Sequence, residues 1–427
     1  MTRRTWQSSV FSALALLLLI PTAGAGAATF TVTNLADSGP GTLRQAVLDA
    51  NSAAGADEVV FAPGVVGTIT LTSGQIAITD SLVVHGPGFR FLTVSGNDLF
   101  RIFRVERPAV DAPIDVTLAG LTLTQGNSLP ELPDTPGGAV LGLGENLRIL
   151  DCVVSDSRSS AGGGIAFYSF SGAALLTIES STIAGNSAAG GGGLSTFGSV
   201  VRIANSTFSG NSVSGDGGAL YSEEGNLEIV NSTLSGNQAQ RFGGAISGRG
   251  TILLRSTTVT ENTADVRGGG ITFETFLVNG FPALDHAIVG NNAPDDLTYT
   301  GMIPGGLESN YSLIEAPGGV GLFGAHNLVG ADPLLGPLAD NGGPTLTHAL
   351  LPGSPARDAG NPAIPDPPAT DQRGSVRILG AAIDLGSVEG GAFVEVPTLS
   401  QIGLLLFCAL LLAAGIRRMR RTGTVPF

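Results

Sequence analysis

The chain has 427 residues, of which 63 are glycine and 24 are proline, while 13% are charged and 6% are aromatic. This composition favours many turns and short strands over amphipathic helices, and a hydrophobic fraction of 43% excludes a collagen-like or disordered polar chain. Six of the 21 basic residues lie in two terminal segments that hold no acidic residue. The body of the chain between these segments therefore has 15 arginines and all 35 acidic residues. A body this acidic excludes binding to nucleic acid or to an anionic membrane through its overall charge.

Residues 1–28 have the pattern of a secretory signal peptide. A pair of arginines precedes an apolar stretch at 10–20, and Ala25 and Ala27 provide the small residues of a cleavage site. A retained N-terminal anchor is one alternative, although the apolar stretch is short for a membrane span. The arginine pair also allows twin-arginine export. We therefore expect an exported chain whose mature form begins near Ala28.

Residues 29–115 are predicted to form an N-terminal cap and the first coils of a solenoid. Apolar and polar residues alternate at 29–32 and at 68–71, as they do in short strands. Between these strands, 41–50 places apolar residues at helical spacing. Because the open end of a solenoid invites edge pairing, we expect this helix to cover the first coil.

The middle of the chain, 116–307, is a repeat. Short segments recur at steps of 25 or 26 residues, with apolar columns before and after them. The segments begin at Ser181, Ser206, Ser232 and Thr257. Apolar residues alternate over only a few positions in each repeat, which is typical of short strands and too short for paired helices. Stacking the coils about 4.8 Å apart would bury like residues above like residues.

These features together predict an all-β fold, a right-handed parallel β-helix with a helical cap at its N-terminal end.

Each repeat also carries an asparagine at a predicted bend: Asn186, Asn211, Asn237 and Asn262. Stacked amides can hydrogen-bond in a ladder and satisfy the backbone of the turn, so we assign this column a structural role. A row of amides that contacts sugars is the functional alternative.

One further column holds residues that could carry chemistry. Its members are Phe197, Glu223, Arg249 and Glu274. The two glutamates would lie two coils apart, about 9.6 Å, which is near the carboxylate separation of inverting glycosidases. Because Arg249 lies between them, we favour an exposed ladder of charge pairs and keep catalysis as the alternative.

Signals for a metal or a cofactor are weak. The histidines, which show no ligand spacing, are His85, His286, His326 and His348. The glycine-rich segment around Asp216 is a single imperfect copy of a calcium-binding repeat. We therefore expect neither a metal site nor a cofactor, and we predict that the chain is not an enzyme.

Residues 308–390 are predicted to add the last coils and to close the solenoid. After a linker at 391–398, residues 399–416 form an apolar segment just long enough to cross a membrane as one transmembrane helix. The basic residues that follow are Arg417, Arg418, Arg420 and Arg421. Such a cluster predicts that 417–427 is a cytoplasmic tail and that the body faces outward. A buried core helix is the alternative interpretation of the apolar segment.

The C-terminal sequence resembles the IPTL-CTERM sorting tail. The matching residues are Val396, Pro397, Thr398, Leu399 and Gly403, followed by the apolar segment and the arginines. The resemblance implies recognition by an exosortase-type membrane transpeptidase. The body would then be tethered to the inner membrane or, after processing, placed at the cell surface. Val396 stands where the family usually has Ile, and Ile402 stands where it has Trp. These two differences concern cleavage of the tail by the processing enzyme more than insertion of the apolar segment into the membrane.

Further resemblances cover most of the remaining chain. Residues 30–46, with Asp37-Ser38-Gly39-Pro40-Gly41-Thr42-Leu43-Arg44, are similar to the opening of bacterial surface proteins with CSLREA-type or β-helix domains. The region that contains Asp371-Gln372-Arg373-Gly374 is similar to the choice-of-anchor Q domain. Gly217-Gly218-Ala219-Leu220 and Gly243-Gly244-Ala245-Ile246 resemble repeats of the polymorphic outer-membrane adhesins.

These resemblances imply a surface protein with a structural or adhesive function. Its expected partners are the processing enzyme, the membrane and an extracellular polysaccharide or a host or cell surface, and nucleic acid is not among them. Parallel β-helices also carry enzymes that act on polysaccharides. A polysaccharide lyase or glycoside hydrolase on the same scaffold is therefore the alternative.

Overall fold

The computed structural model describes residues 26–107, 113–129, 136–170, 174–274, 282–301, 306–364 and 367–390. Over these residues the chain is an all-β solenoid with one α-helix. The N-terminal part consists of β1 (Thr29–Val32), α1 (Leu43–Ser52), β2 (Asp57–Phe61), β3 (Gly67–Thr70), β4 (Ile76–Ile78), β5 (Leu82–His85), β6 (Leu92–Ser95), β7 (Phe103–Val105), β8 (Asp115–Ala119) and β9 (Thr122–Thr124).

The central part contains the most regular coils. Its strands are β10 (Val140–Leu143), β11 (Asn146–Leu150), β12 (Val153–Ser155), β13 (Ile165–Tyr168), β14 (Leu175–Glu179), β15 (Thr182–Ala184), β16 (Ser187–Ala188), β17 (Leu194–Phe197), β18 (Val200–Ala204), β19 (Thr207–Ser209), β20 (Ser212–Val213), β21 (Leu220–Val230), β22 (Thr233–Ser235), β23 (Gln238–Ala239), β24 (Ile246–Arg255), β25 (Thr258–Thr260), β26 (Thr263–Ala264) and β27 (Ile271–Glu274).

The C-terminal part is less regular. Its strands are β28 (Ala283–Asp285), β29 (Ile288–Gly290), β30 (Leu297–Thr300), β31 (Leu307–Asn310), β32 (Leu313–Ile314), β33 (Leu322–Phe323), β34 (Leu328–Val329), β35 (Leu335–Ala339) and β36 (Thr347–Leu350).

Each coil of the solenoid passes through three successive faces, and every face is a stack of parallel strands. Face 1 runs β4-β7-β10-β13-β17-β21-β24-β27-β30. Face 2 begins at β1 and ends at β33, and it joins face 1 because β21 and β24 run through both. Face 3 is an 11-stranded sheet from β3 to β34. Short strands β16-β20-β23-β26 form a fourth, smaller stack after face 3.

The register places repeat upon repeat. On face 2, Ile178 pairs with Ile203, and Ile203 pairs with Ile229. On face 3, Phe208 pairs with Leu234 in the same way. All of these side chains are buried in one continuous core. Burial of one such side chain contributes roughly 1.5 to 3 kcal/mol, and it needs a neighbouring coil on each side. The 25- or 26-residue period is thus one turn of the solenoid.

The coils turn at residues in the left-handed region of backbone space. At the corner after face 2, Ser180, Asn205 and Asn231 have φ values of 50°, 51° and 47°. Asparagine and other short polar residues tolerate this conformation better than most side chains. Before face 1 the corner uses glycine, because a Cβ on Gly217 would lie 2.3 Å from the carbonyl oxygen of Leu220. These corners explain the glycine content of the chain.

Helix α1 covers the N-terminal end of the solenoid. Thr42 caps it by accepting a hydrogen bond from the Gln45 N–H at 3.2 Å. The apolar face of the helix is buried in the main core and packs on β1, β2 and β4. On the other side, the Arg44 guanidinium donates to Asp37 Oδ1 at 2.6 Å and to the Gly74 carbonyl at 2.6 Å. The helix is therefore fixed to the first coil by both apolar and ionic contacts.

After β34 the chain stops adding coils. β35 and β36 pair antiparallel, and residues 345–364 and 367–390, here together called the return segment, lie along the outer side of face 3. Three contacts show its course: Thr345 Oγ1 to Asn205 O at 3.1 Å, Thr207 Oγ1 to Leu346 O at 2.6 Å, and Ser387 N to Thr258 Oγ1 at 3.0 Å.

Residues 308–390 are the region predicted to add the last coils and to close the solenoid. Parallel strands of the solenoid end at β34, with Val329. The residues beyond it instead bury an outward column of hydroxyl side chains on face 3, which includes Thr207, Thr233 and Thr258. Outward-facing hydroxyl groups on an uncovered sheet form hydrogen bonds with water. Here a covering segment supplies their hydrogen-bond partners instead.

The predicted features of the two termini lie outside the described residues. This holds for most of the signal peptide, for the sorting motif at 396–403, for the apolar segment at 399–416 and for the arginines that follow. Within the described part of the chain, no helix is both long and apolar enough to cross a bilayer.

Candidate functional site

The outer side of face 1 carries aromatic, acidic and basic side chains. Alternate residues of its strands point away from the core, so Ile165 is buried while Tyr168 is half-buried at the surface. In the stack of coils, Tyr168 pairs with Phe197, and Phe197 pairs with Glu223. Aromatic and acidic side chains therefore follow one another along the axis of the solenoid.

The aromatic part of this face is a depression of about 400 Å³. Its principal side chains are Tyr168, Phe170, Ser195, Phe197, Tyr221 and Glu223. The Phe170 and Phe197 rings lie with their centroids 5.7 Å apart and tilted by 43°. Phe170 is 83% exposed, which is unusual for such a large apolar side chain. The Tyr168 hydroxyl is held by Ser195 Oγ at 3.1 Å.

The acidic part is a second depression of about 370 Å³ beside the first. Its lining residues are Asp216, Tyr221, Arg241, Phe242, Arg249, Glu274 and Thr300. Tyr221 lines both depressions, which makes them neighbouring parts of one surface. We call this combined surface the face 1 groove. It extends across the coils of β13, β17, β21, β24 and β27.

A chain of ion pairs fixes the carboxylates of the groove. Arg249 Nη1 lies 3.2 Å from Glu223 Oε1, and Arg249 Nε lies 2.9 Å from Glu274 Oε2. Ser247 Oγ donates to the other oxygen of Glu274 at 3.1 Å. The Glu274 side chain is only 12% exposed, so it is less open to solvent than the exposed ladder predicted from sequence.

A β-bulge shapes this chain of charges. The pairing of β21 with β24 shifts between Ser222 and Gly225, so that Glu223 and Glu224 together face the position of Arg249. The extra residue, Glu224, adopts a positive φ of 56°. Bulges re-aim neighbouring side chains and are common next to functional sites. At this bulge the step between β21 and β24 changes from 26 residues to 25.

Asp216 is the site residue whose importance the sequence did not reveal. It lies in the glycine corner before β21, where its Oδ1 accepts from the Phe242 N–H at 3.1 Å and its Oδ2 lies 3.3 Å from Arg241 Nη1. Burial raises the pKa of this carboxyl above its ordinary value, although Arg241 and the Phe242 N–H oppose the shift. Its isolated position among the glycines of the corner was the one signal available.

Tyr221 lies at the centre of the groove. Burial, together with the charges of Glu274 and Glu223, raises the pKa of its phenol to about 12. The phenol therefore keeps its proton at neutral pH. It is an aromatic surface with a hydroxyl donor, a combination that suits contact with a polar ligand.

The four predicted asparagines lie in one ladder inside the solenoid. Each Nδ2 donates to the next Oδ1: Asn186 to Asn211 at 3.0 Å, Asn211 to Asn237 at 2.9 Å, Asn237 to Asn262 at 2.8 Å, and Asn262 to Asn292 at 2.9 Å. The ladder ends on Asp296 Oδ1, 2.8 Å from Asn292 Nδ2. Because these amides are buried and bonded to one another, they do not contact a ligand.

The histidines do not assemble into a site. His286 and His326 stack on the two sides of Tyr311, with centroid distances of 5.3 Å and 4.5 Å, and His348 lies buried between Gly336 O and Ser235 Oγ. Within the described residues, no group of three His, Cys, Asp or Glu side chains is arranged to hold a metal ion.

Comparison with known proteins identifies the class of fold. Residues 137–301 match the family model of the right handed beta helix region, which also fixes the hand of the solenoid. The chain is thus built on a right-handed parallel β-helix. No curated protein matches its sequence. Among solved structures, that of the pectate lyase Pel9A is similar, with a TM-score of 0.46 and 14% identity over 86% of this chain and 98% of the lyase chain.

This comparison corrects one prediction. The conclusion that the chain is not an enzyme is contradicted, because a similar solved structure is that of a lyase. The sequence argument failed because it looked for known arrangements of catalytic residues, and a fold of this class does not exclude catalysis. At this identity and TM-score the likeness assigns no activity and no substrate to this chain.

Proposed function

We propose that this protein is an exported β-helix that binds a neutral extracellular polysaccharide in the face 1 groove. The observation that carries the proposal is the set of half-buried and exposed aromatic side chains, Tyr168, Phe170, Phe197 and Tyr221, beside fixed carboxylates. Ligand sites combine apolar and aromatic walls with a few oriented polar groups. The apolar faces of sugar rings can stack on the aromatic walls, and the sugar hydroxyl groups can bond to the oriented polar groups.

The charge of the groove selects the class of glycan. Asp216, Glu223 and Glu274 outnumber Arg241 and Arg249, and the arginines are engaged in ion pairs with them. The whole chain is also acidic, with a formal charge of −14. A polyanionic glycan would be repelled by this field. We therefore assign neutral glycans, whose hydroxyl groups can donate to the carboxylates.

The direction of the groove fits a chain-like ligand. It crosses successive coils along the axis, each about 4.8 Å from the next. An extended polysaccharide can follow such a surface and present one sugar ring to the aromatic part while the next meets the acidic part. A small isolated ligand would contact only one of the two depressions.

The proposed location is the outer side of the cell envelope. The signal peptide pattern supports export, and the apolar segment at 399–416 supports tethering at the inner membrane. The similarity to the IPTL-CTERM tail supports transfer to the surface by an exosortase-type enzyme, where the β-helix would act as a structural or adhesive module. Mass spectrometry of the mature C-terminus tests this part: an end near Thr398 supports processing, and an intact Phe427 contradicts it.

Affinity electrophoresis of the purified body tests the binding proposal. We expect retardation in gels that contain a neutral glucan, xylan or mannan, and none with polygalacturonate. Tyr221→Ala and Phe197→Ala should each weaken retardation about tenfold, since a stacked aromatic ring contributes about 0.5–1.5 kcal/mol beyond its area. Phe91→Ala is the matched control, because this exposed ring lies on an N-terminal coil away from the groove. Equal loss in all three variants, or no retardation by any neutral glycan, would contradict the proposal.

A further inference from the structure

We propose that residues 374–382, here called the apolar loop, insert into the surface of a zwitterionic lipid bilayer and dock the body on the membrane to which the chain is tethered. This inference rests on the proposed tethering by the apolar segment at 399–416, and it is independent of what the face 1 groove binds. Its basis is an exposed apolar loop that is bonded to the last described residues before that segment.

The apolar loop exposes several large aliphatic side chains within one short segment. Its sequence is Gly-Ser-Val-Arg-Ile-Leu-Gly-Ala-Ala. Val376 is 61% exposed, Ile378 is 41% exposed and Leu379 is 53% exposed. Single exposed apolar residues are ordinary on protein surfaces, whereas several together mark a surface that contacts a partner or a membrane.

The one charged side chain of the loop points inward. Arg377 is buried, and its Nη2 donates to the carbonyl oxygen of Gly386. The nearby carboxylates of Glu389, Asp371 and Asp384 balance its charge. Residues 374–382 therefore present no exposed charged side chain. Such a loop can enter the headgroup region of a bilayer, where an unpaired charge would be costly.

Hydrogen bonds fix both ends of the apolar loop. At its start, the Asp371 N–H donates to the Ser375 carbonyl oxygen at 2.8 Å, and the Ser375 N–H donates to Asp371 Oδ1 at 3.0 Å. At its end, the Ala381 N–H donates to Asp358 Oδ1 at 2.7 Å. Because the loop is already held in place, insertion costs little further conformational entropy.

The loop lies beside the place from which the chain continues toward the predicted membrane segment. The Leu379 N–H donates to Glu389 Oε1 at 3.2 Å, which bonds the loop to the residue before Gly390. Leu399, the first residue of the predicted membrane segment, follows Gly390 by nine positions. Nine residues span at most about 30 Å. Tethering through 399–416 would thus keep the loop near the bilayer and raise its effective concentration there.

Charge favours a zwitterionic bilayer as the partner of the loop. The body of the chain has 15 arginines and 35 acidic residues, so an anionic surface would repel it. Contact through aliphatic side chains needs no opposite charge and depends little on salt. A second copy of the chain could also cover the loop, but two bodies of the same acidic charge repel each other.

Docking through the loop would also orient the solenoid. The carbonyl oxygen of Thr370, which pairs with Val376, accepts from Asn231 Nδ2 at 2.8 Å. Asn231 lies at the corner between faces 2 and 3. In a solenoid with three main faces this corner is opposite face 1. A membrane that contacts the loop would therefore leave the face 1 groove open to the exterior.

Tryptophan fluorescence of the full chain in phosphatidylcholine vesicles tests the proposal. Trp6 is the only tryptophan of the sequence, so Trp6→Phe removes the background signal. In that chain Leu379→Trp should show a blue-shifted emission and quenching by lipids that are brominated on their acyl chains. Phe91→Trp is the matched control, because Phe91 is similarly exposed but lies on an N-terminal coil, and it should show neither effect.

A second set of variants tests whether the aliphatic side chains drive insertion. With Val376→Trp as the reporter, Ile378→Asp should weaken docking about tenfold or more, because it replaces a buried apolar side chain with a charge. Val66→Asp, at an exposed apolar position of an N-terminal coil, should leave docking unchanged. Quenching should be equal at low and high salt. Circular dichroism checks that each variant is folded.

The possible outcomes separate the tether from the loop. A full chain that does not sediment with the vesicles would overturn the tether and the docking together, and it would leave the proposed glycan binding intact. A chain that sediments but is quenched equally in Leu379→Trp and Phe91→Trp would overturn docking by the loop and leave the tether intact. A blue shift without quenching by brominated lipid would place the loop against protein, as in a second copy of the chain, and would also overturn docking on the bilayer.

Discussion

Single residues fix the interior of this solenoid through hydrogen bonds that repeat at every coil. In the asparagine ladder the side-chain Nδ2 and the backbone N–H of one residue both donate to the Oδ1 of the next, as Asn211 N does to Asn237 Oδ1 at 3.0 Å. A parallel column of serines has the same function at the preceding corner, where the Ser181 N–H donates to Ser206 Oγ at 3.1 Å. Buried polar groups are stable only when all of them are satisfied.

Removal of one member of the ladder should therefore be costly. We expect Asn237→Ala to lower the free energy of unfolding by about 3 kcal/mol or more, because it leaves buried N–H groups of Asn211 without an acceptor. Urea denaturation measures the change. Asn226→Ala, at an exposed position of β21, should change stability by less than about 0.5 kcal/mol. Equal midpoints for the two variants would contradict the role of the ladder.

The residue scale is also where the sequence was most and least informative. The asparagine column was visible because it repeats, and the extension to Asn292 was missed because a longer coil displaces it to a step of 30 residues. Asp216 and Tyr221 occur once each in their columns, so no periodicity drew attention to them. A groove is formed by differences between coils, whereas a repeat reveals only what the coils share.

At the scale of elements, the two ends of the solenoid are closed in different ways. The N-terminal end uses α1, whose Arg44 is bonded to Asp37. Asp37 also accepts from the Thr72 N–H at 2.9 Å and the Thr72 hydroxyl at 3.0 Å. Burial alone would raise the pKa of Asp37, but the hydrogen bonds from Ser73, Arg44 and Thr72 outweigh it and lower the pKa to about 2.

This shift predicts how the cap responds to acid. Since the pKa of folded Asp37 lies below its ordinary value of 3.8, its stabilisation is present above that pH and is lost as the pH falls toward about 2. We expect Asp37→Asn to lower the free energy of unfolding by about 2 kcal/mol at pH 7 and to change it little at pH 2. Urea denaturation at the two pH values measures the difference. Asp49→Asn on the exposed side of α1 is the control. A constant difference at all pH values would contradict the assignment.

The return segment is the second closing element, and the sequence did not predict its course. It lacks the repeat, and it is held by Gln372, whose Nε2 donates to Thr207 Oγ1 at 2.9 Å and whose Oε1 accepts from the Thr233 hydroxyl at 2.6 Å. These contacts join residues more than 130 positions apart. Local patterns cannot indicate such a pairing.

Loss of Gln372 should release the return segment without unfolding the coils. We expect Gln372→Ala to increase hydrogen exchange at 345–350 and 385–389, because buried hydroxyl groups of face 3 lose their partner. Exchange in the central coils, around Asn211 and Asn237, should stay slow. Mass spectrometry after deuterium labelling measures both. Uniformly faster exchange would mean that the segment and the coils unfold as one unit.

At the scale of the whole molecule, the solenoid separates stability from recognition. The core, the ladders and the corners repeat along the axis, whereas the outward residues of face 1 differ from coil to coil and form the groove. The return segment covers part of face 3, and the small stack beside face 3 carries short polar side chains. The aromatic rings of the groove, Phe170 and Phe197 among them, lie on face 1. If the groove binds glycans as proposed, the acidic charge of the body would repel polyanions from it.

The most direct test of this account is a crystal structure of residues 29–390 with a neutral hexasaccharide, using whichever of the tested glycans binds most tightly. We predict sugar rings stacked on Phe197 or Phe170 and on Tyr221, with hydroxyl groups bonded to Glu223 or Glu274. Sugar bound to another face of the solenoid, or an empty groove at saturating ligand, would contradict the account.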